Sequence, residues 1–127
     1  MIVYTSYYAN IKKLQAKGFN SFIAVSGYIP EFYKKLMEKD KNFERIVELS
    51  PKKEWFFKWK NGELNNDEYE KLYKETVLEK LNFDEIINKI KNESILLCYE
   101  KSGDFCHRYF ISEWLNHHGI ESKEIIV

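Results

Sequence analysis

Ser94-Ile95-Leu96-Leu97-Cys98-Tyr99, followed by Glu100-Lys101-Ser102-Gly103-Asp104-Phe105-Cys106-His107-Arg108, is the stretch that decides the fold. The first six residues carry no charge, and Ile-Leu-Leu-Cys at their centre fits a strand covered on both faces, as in a parallel sheet. A polar, glycine-containing loop then leads into a helix whose Phe110, Ile111, Trp114 and Leu115 repeat on one side. Gly119 ends that helix, and Lys123 to Val127 supplies a last strand.

The same alternation extends upstream. Ile2-Val3-Tyr4-Thr5 reads as a first strand ending near Ser6, and Asn10 as the cap of a short helix stopped by Gly18. Ser21-Phe22-Ile23-Ala24-Val25 reads as a second buried strand. Gly27 and Pro30 frame a turn into a helix carrying Phe32, Tyr33, Leu36 and Met37. Phe43 to Leu49 fits either a short strand or a helical turn. Tyr69, Leu72, Tyr73, Thr76 and Val77 mark one face of a helix capped by Asn65 or Asn66, with Asp67 and Glu68 in its positive first turn. Asn82 and Glu85 resemble a capping box that restarts a helix along Phe83, Ile86, Ile87 and Ile90. Strands alternating with helices predict an α/β fold: one three-layer domain over residues 1–127, with a mostly parallel sheet of 4–5 strands and helices on both faces.

Composition narrows the function classes. The 127 residues include 20 basic and 20 acidic side chains, and this balance argues against a protein whose main task is coating phosphate backbones or anionic lipid. With 3 Trp, 9 Tyr and 9 Phe, core material is ample and disorder is not expected. The longest apolar runs fall far short of the roughly 20 residues a membrane span needs. Met1-Ile2-Val3-Tyr4 shows no basic stretch ahead of an apolar one, so no secretory leader and a cytoplasmic setting are expected. A structural disulfide between Cys98 and Cys106 would be unusual there.

The reactive groups gather in the 98–108 segment, at the carboxyl end of a strand, where ligands bind in open α/β sheets. With Asp104 as N-cap, Cys106, His107 and Arg108 fall in the first helical turn, where free N–H groups and the dipole favour a thiolate or a bound anion. Cys106 is then a candidate nucleophile, His107 an acid/base, Arg108 an anion fork, and Glu100 a further catalytic candidate. Thr5, Ser6, Tyr7, Ser26, Cys98 and Lys101 are candidate ligand-binding residues around the same sheet edge. The plain alternatives are that Cys98 is a small core residue, that His107 is a surface cap, that Arg108 clamps Glu100 or Glu113, and that the tyrosines are packing.

Several signatures fail on spacing. Ten positions separate Cys98 from Arg108, which breaks a phosphatase-type loop. Cys98, Cys106 and His107 lack paired CxxC or HxxxH spacing, so no metal is expected; His117 and His118 would lie about 16 Å from Cys106 along a helix. There is neither GxGxxG nor GxxxxGK[ST], and no cofactor is expected. A redox pair of Cys98 and Cys106 stays open on spacing alone, without the short CxxC geometry.

Thr5-Ser6-Tyr7-Tyr8-Ala9, Ile29-Pro30-Glu31-Phe32-Tyr33, the Tyr69 to Tyr73 helix, and above all Leu97-Cys98-Tyr99-Glu100-Lys101 with Phe105-Cys106-His107-Arg108 resemble the domain-of-unknown-function 488 family. The resemblance spans nearly the whole chain. It implies a compact bacterial, archaeal or phage α/β domain without an assigned reaction, and Cys98, Glu100, Cys106, His107 and Arg108 fit the family segment. Val25-Ser26-Gly27 departs from the pattern, in which an arginine commonly follows the second strand.

Two functions follow as expectations. The first is an enzyme, or a binder, acting on a small anionic or nucleotide-like ligand at residues 98–108. On that reading, Cys106→Ser and Arg108→Ala abolish function while sparing stability. The alternative is a non-catalytic module that binds nucleic acid or a partner protein through Trp55-Phe56-Phe57-Lys58-Trp59-Lys60, whose rings and lysines interleave. With zero net charge, nucleic acid is the less favoured partner; no membrane partner is expected, and oligomeric state is not read.

Overall fold

The computed structural model describes all 127 residues, Met1–Val127. Five strands form one parallel sheet: β1 (Ile2–Tyr7), β2 (Phe22–Ala24), β3 (Phe43–Arg45), β4 (Ile95–Cys98) and β5 (Glu121–Glu124), in the order β3-β2-β4-β1-β5. Six α-helices connect them: α1 (Ile11–Ala16), α2 (Glu31–Lys39), α3 (Lys53–Lys60), α4 (Asn66–Thr76), α5 (Phe83–Ile87) and α6 (Arg108–His117). The α/β expectation holds, and every strand pair is parallel. None of the helices is long and apolar enough to cross a membrane.

Two-residue alternation along the strands divides the interior into two layers. Ile95, Leu97, Phe22 and Ala24 pack with Ile11 and Leu14 of α1 and Tyr33 of α2. Leu96, Ile23 and Val3, one residue out of phase, pack with Trp55, Tyr69, Tyr73, Ile86, Phe110, Ile111 and Leu115 from α3 to α6. Helices therefore cover both faces, which is why β4 reads as a continuous apolar run rather than an alternating one. Buried hydroxyls tie the helices to the Phe43–Leu49 segment: Tyr33 Oη donates to Glu44 O of β3 at 2.7 Å, and Tyr73 Oη to Leu49 O at 2.7 Å.

Local signals are realised unevenly. Asn65 caps α4 through a complete capping box with Glu68, and the Asn82 side chain accepts from the Glu85 amide at 3.1 Å. Asn10 does not cap α1; its Nδ2 donates instead to Ser6 Oγ at 3.1 Å. Phe43 to Leu49 is both things that its sequence allows, a short strand and then a turn of 3₁₀ helix at Val47–Leu49. The last strand is Glu121–Glu124 rather than 123–127. Its place is set by pairing with β1, Val3 opposite Ser122, and by a Ser112–Ser122 hydroxyl bond of 2.7 Å.

Chain direction places the site. β2 leaves the sheet toward α2 on one face, whereas β4 leaves toward α6 on the other. Between the carboxyl ends of these neighbouring strands a crevice opens, as at the switch point of open α/β sheets.

Candidate active site

That crevice is a cleft of ≈ 500 Å³. Its floor is Cys98, at the end of β4, with Cys106 and His107, the two residues before α6. All three are buried. Tyr28, Phe57 and Tyr99 stand at its exposed rim, and Phe56, Trp59, Tyr69 and Phe105 form the inner wall. The inner rings pack edge to face or tilted, with Trp59 and Tyr69 centroids 4.9 Å apart, Tyr69 and Phe105 5.1 Å, and Trp59 and Phe105 5.5 Å. Lys60 lies 5.7 Å from the Trp59 ring. Ser26 lines the cleft from the end of β2, where its hydroxyl donates to Tyr28 O and pairs with Tyr8 Oη at 2.6 Å.

Asp104 is not the N-cap of α6. Lys101 to Asp104 is a closed turn, with the Asp104 amide on Lys101 O at 3.1 Å, and α6 begins at Arg108 with His107 as its N-cap residue. Phe105 and Cys106 lie between turn and helix, so Phe105 reaches the aromatic wall and Cys106 the floor. Cys106 is thus buried rather than presented in an exposed first turn.

His107 Nε2 lies 2.7 Å from the Val25 carbonyl, which only accepts, so Nε2 carries a proton and Nδ1 is turned toward sulfur. Nδ1 is 3.9 Å from Cys98 Sγ and 4.0 Å from Cys106 Sγ. Cys98 Sγ also approaches Glu100 Oε2 at 3.4 Å. Burial pushes the Cys106 thiol up, but the Cys98 hydrogen bond, the His107 bond and charge, and the nearby Arg108 charge hold it well below the usual thiol value. Cys98, as donor in that bond and equally buried, is raised. Burial lowers His107, yet its bond to Cys106, the thiolate charge and the Val25 carbonyl raise it overall. Glu100 is raised by burial first and by the Cys106 charge next. The arrangement gathers two sulfurs and an imidazole under an aromatic roof, with Cys106 the more acidic of the two thiols.

Arg108 is elsewhere. Its side chain, fully buried, turns to β5, where Nε donates to Glu124 Oε1 at 3.0 Å and Nη2 to Glu124 Oε2 at 2.8 Å. Thr5 Oγ1 and Ser102 Oγ complete the carboxylate at 2.6 Å each, and Arg108 Nη2 also donates to Tyr109 Oη at 3.0 Å. The expected anion fork is occupied from within the chain by a residue that is neither Glu100 nor Glu113; the latter pairs with Lys74 at 3.4 Å. Arg108 Nη1 has no partner.

Of the other candidates, Ser26 and Cys98 line the cleft, whereas Thr5 and Ser6 are buried away from it, Tyr7 lies against the Arg108 guanidinium at 5.9 Å, and Lys101 is exposed. The aromatic-lysine segment is α3, and it divides: Trp55 is buried in the core, while Phe56, Phe57, Trp59 and Lys60 form part of the cleft. Tyr69, Phe105 and Glu124 are the residues that sequence reasoning missed. Tyr69 reads as one face of a helix and Phe105 as part of the site loop; nothing local marks Glu124 as the partner of Arg108, sixteen positions away.

Cys98 Sγ, Cys106 Sγ and His107 Nδ1 all lie within 4.8 Å of one another, the three groups whose spacing in sequence argued against a metal.

Searches among curated proteins and among solved structures return no match. The family model DUF488-N3a, described as the active DUF488-N3 subclade, matches residues 6–119, nearly the whole chain. The strand-loop-helix segment with Cys98, Glu100, Cys106, His107 and Arg108 lies inside that match, and the chain belongs to the DUF488 family.

Proposed function

We propose that this protein is an enzyme acting on a small molecule with a planar ring, of the nucleobase or nucleoside kind, held in the cleft between β2 and β4. One observation carries the reading: the thiol–imidazole floor and the aromatic face of α3 meet in a single cavity. Aromatic walls grip a flat ring from its faces and tolerate varied edges. Cys106 is the nucleophile, and its sulfur attacks an electrophilic carbon of the bound ring or its substituent. His107, oriented by Val25 O, takes the thiol proton and returns it to the departing group, and then takes a proton from a water that displaces the product from sulfur and restores the thiol. Glu100 stands beside Cys98 as a second proton acceptor. An anionic substituent would meet Lys60 at the rim rather than Arg108. The match to a subclade described as active accords with an enzyme. Two free thiols suit a reducing compartment, so we assign a cytoplasmic setting.

The test exposes the full-length protein to a panel of nucleobases, nucleosides and nucleotides, following Trp59 fluorescence for binding and mass-spectrometric product formation for turnover. A ring-bearing compound that quenches Trp59, protects Cys106 from iodoacetamide and is turned over only while Cys106 is present supports the reading. If no member of the panel protects Cys106 or perturbs Trp59, the reading is wrong.

The nucleic-acid alternative loses half its platform. Trp55, one of the two tryptophans it needs, is 8% exposed and sits in the core, stacked edge-on against Tyr69.

A further inference from the structure

We propose that Cys98, Cys106 and His107 form a three-ligand site for a borderline-soft divalent cation of the zinc class, its remaining position open to the cleft. Four observations meet at this point. The three donor atoms are mutually within 4.8 Å, and the imidazole Nδ1 is equidistant from the two sulfurs, at 3.9 and 4.0 Å. Tetrahedral zinc, with bonds of about 2.3 Å to sulfur and 2.0–2.1 Å to nitrogen, needs ligand atoms roughly 3.5–3.8 Å apart. A side-chain contraction of a few tenths of an ångström to about 1 Å therefore closes the site, with no backbone rearrangement.

The second observation is outside the ligand shell. His107 Nε2–H is spent on the Val25 carbonyl at 2.7 Å, the arrangement that fixes the tautomer of a metal-bound histidine and leaves Nδ1 with its lone pair free. Third, the donor set selects its ion. Two thiolates and a neutral imidazole match soft and borderline metals, and two negative charges cancel a divalent cation in a buried place where surplus charge is costly. Last, only three protein ligands converge, and the cleft lies above them, which is the pattern of catalytic rather than structural zinc. Sequence spacing hides the site: the ligands come from the end of β4 and the lead-in to α6, joined by a seven-residue loop instead of a CxxC turn.

The site shares its location with the proposed reactive centre and rests on that reading for its cleft, but not on Cys106 acting as a nucleophile. Binding displaces to solvent the protons held among the two thiols and Nδ1, and forms two metal–sulfur bonds and one metal–nitrogen bond, with no redox change. A cation there occupies the Cys106 sulfur, so metal loading and attack by a free thiolate exclude each other.

The experiment uses the full chain, stripped of metal with a chelator under reductant and titrated anaerobically with Co²⁺. The expected result is saturation at one equivalent, with thiolate-to-cobalt charge-transfer absorption and the visible bands of tetrahedral cobalt, both abolished by Zn²⁺. Cys98→Ala and His107→Gln should each weaken binding at least tenfold, as lost ligands do when losing even an outer-shell partner costs about 10–100-fold. Near-ultraviolet circular dichroism confirms that each variant is folded, and the glutamine variant retains a donor for Val25 O. Absence of charge transfer in the folded wild type, or binding indifferent to both substitutions, overturns the site. Alkylation of Cys106 separates the two ideas. Fast labelling without cobalt binding removes the metal and leaves the nucleophile; cobalt binding with an inert Cys106 in the metal-free protein removes the nucleophile and leaves the metal. Fast labelling that Zn²⁺ suppresses supports both.

Discussion

His107 turns toward β2 and donates to Val25 O, whereas Arg108, one residue on, reaches β5 and grips Glu124. Successive residues at a helix start diverge by about 100°, so chain neighbours there serve opposite sides of the sheet. The resulting clusters differ in kind. Around Glu124, two hydroxyls and a bidentate guanidinium saturate one carboxylate, leaving only Arg108 Nη1 unpaired, and none of these groups lines the cleft. Around His107, two sulfurs and an imidazole meet at 3.9–4.0 Å, looser than a finished hydrogen-bond network, beneath a cavity. A saturated cluster holds the fold; an unsaturated one at the base of a cleft is equipped to act on something that enters.

The largest expected effect comes from breaking the saturated side. Arg108→Ala removes a fully buried side chain and strands Glu124, 14% exposed, without its counter-charge. Removing one partner of a buried pair costs about 3–5 kcal/mol, a large part of a small domain's stability. Urea denaturation should show the midpoint fall accordingly, against the expectation from sequence that this variant spares stability. A midpoint shift below about 1 kcal/mol would mean that the two clusters are not different in kind. Cys106→Ala is the matching cut on the open side: about 1 kcal/mol in the same assay, with loss of thiol reactivity.

Acid probes the same contrast by a second route. Burial alone would raise the Glu124 carboxyl, but Arg108, Ser102 and Thr5 hold it below the usual carboxylate range. A depressed folded pKa contributes stability that is fully present above the unfolded value of about 4.3 and is lost as pH falls through the folded one. Glu124→Gln should therefore destabilise by about 1.5–3 kcal/mol at neutral pH, the worth of a charged hydrogen bond, and this deficit should shrink below pH of about 4. A deficit constant from neutral pH to pH of about 3 would show that the carboxylate charge is idle.

On the open side, Trp59→Ala should cost about 1–3 kcal/mol of ring-ligand binding, the value of one stacked base. Trp55→Ala, four residues earlier on the same helix, should instead lower stability, because Trp55 belongs to the core. Isothermal titration and thermal melts on the two variants distinguish wall from core.

How much of this was legible follows from the range of the forces involved. β4 and the α4 cap are local statements, an apolar run covered on two faces and an asparagine at the head of an amphipathic face, and both appear where the sequence places them, with Asn65 rather than Asn66 as the cap. The floor was legible as residue types, since Cys98, Cys106 and His107 flank one loop. Its depth was not, because burial is conferred by α3 and α4, whose Trp59 and Tyr69 fold over it. The start of α6 was misread because Asp104 is a good cap in isolation, whereas Phe105 packs on Trp59 and Tyr69 from a non-helical lead-in that no local signal announces. Glu124 was invisible for a different reason: β5 is an edge strand whose register is set by β1, and its burial pattern requires no apolar periodicity.

Tyr109 tests whether the two clusters are mechanically independent. Its hydroxyl accepts from Arg108 Nη2 and from the Gly103 amide, both at 3.0 Å, so it ties the site loop to the saturated side. Gly103 lies between Cys98 and Cys106 in the chain, and the tie crosses from the structural cluster to the segment that sets the floor. Tyr109→Phe keeps the ring, which lies 4.7 Å from the Arg108 guanidinium, and deletes only the hydroxyl. The expected loss is no more than about 1 kcal/mol, because the guanidinium retains both bonds to Glu124. Hydrogen exchange at the Gly103 amide should nevertheless accelerate by roughly tenfold or less, the equivalent of up to about 1.4 kcal/mol in local opening. If Cys106 alkylation is unchanged while Gly103 exchange rises, the loop moves without the floor, and α6 alone fixes the thiol. If both change together, the Arg108–Glu124 cluster positions the reactive sulfur through Tyr109, and the division between holding and acting is one of degree.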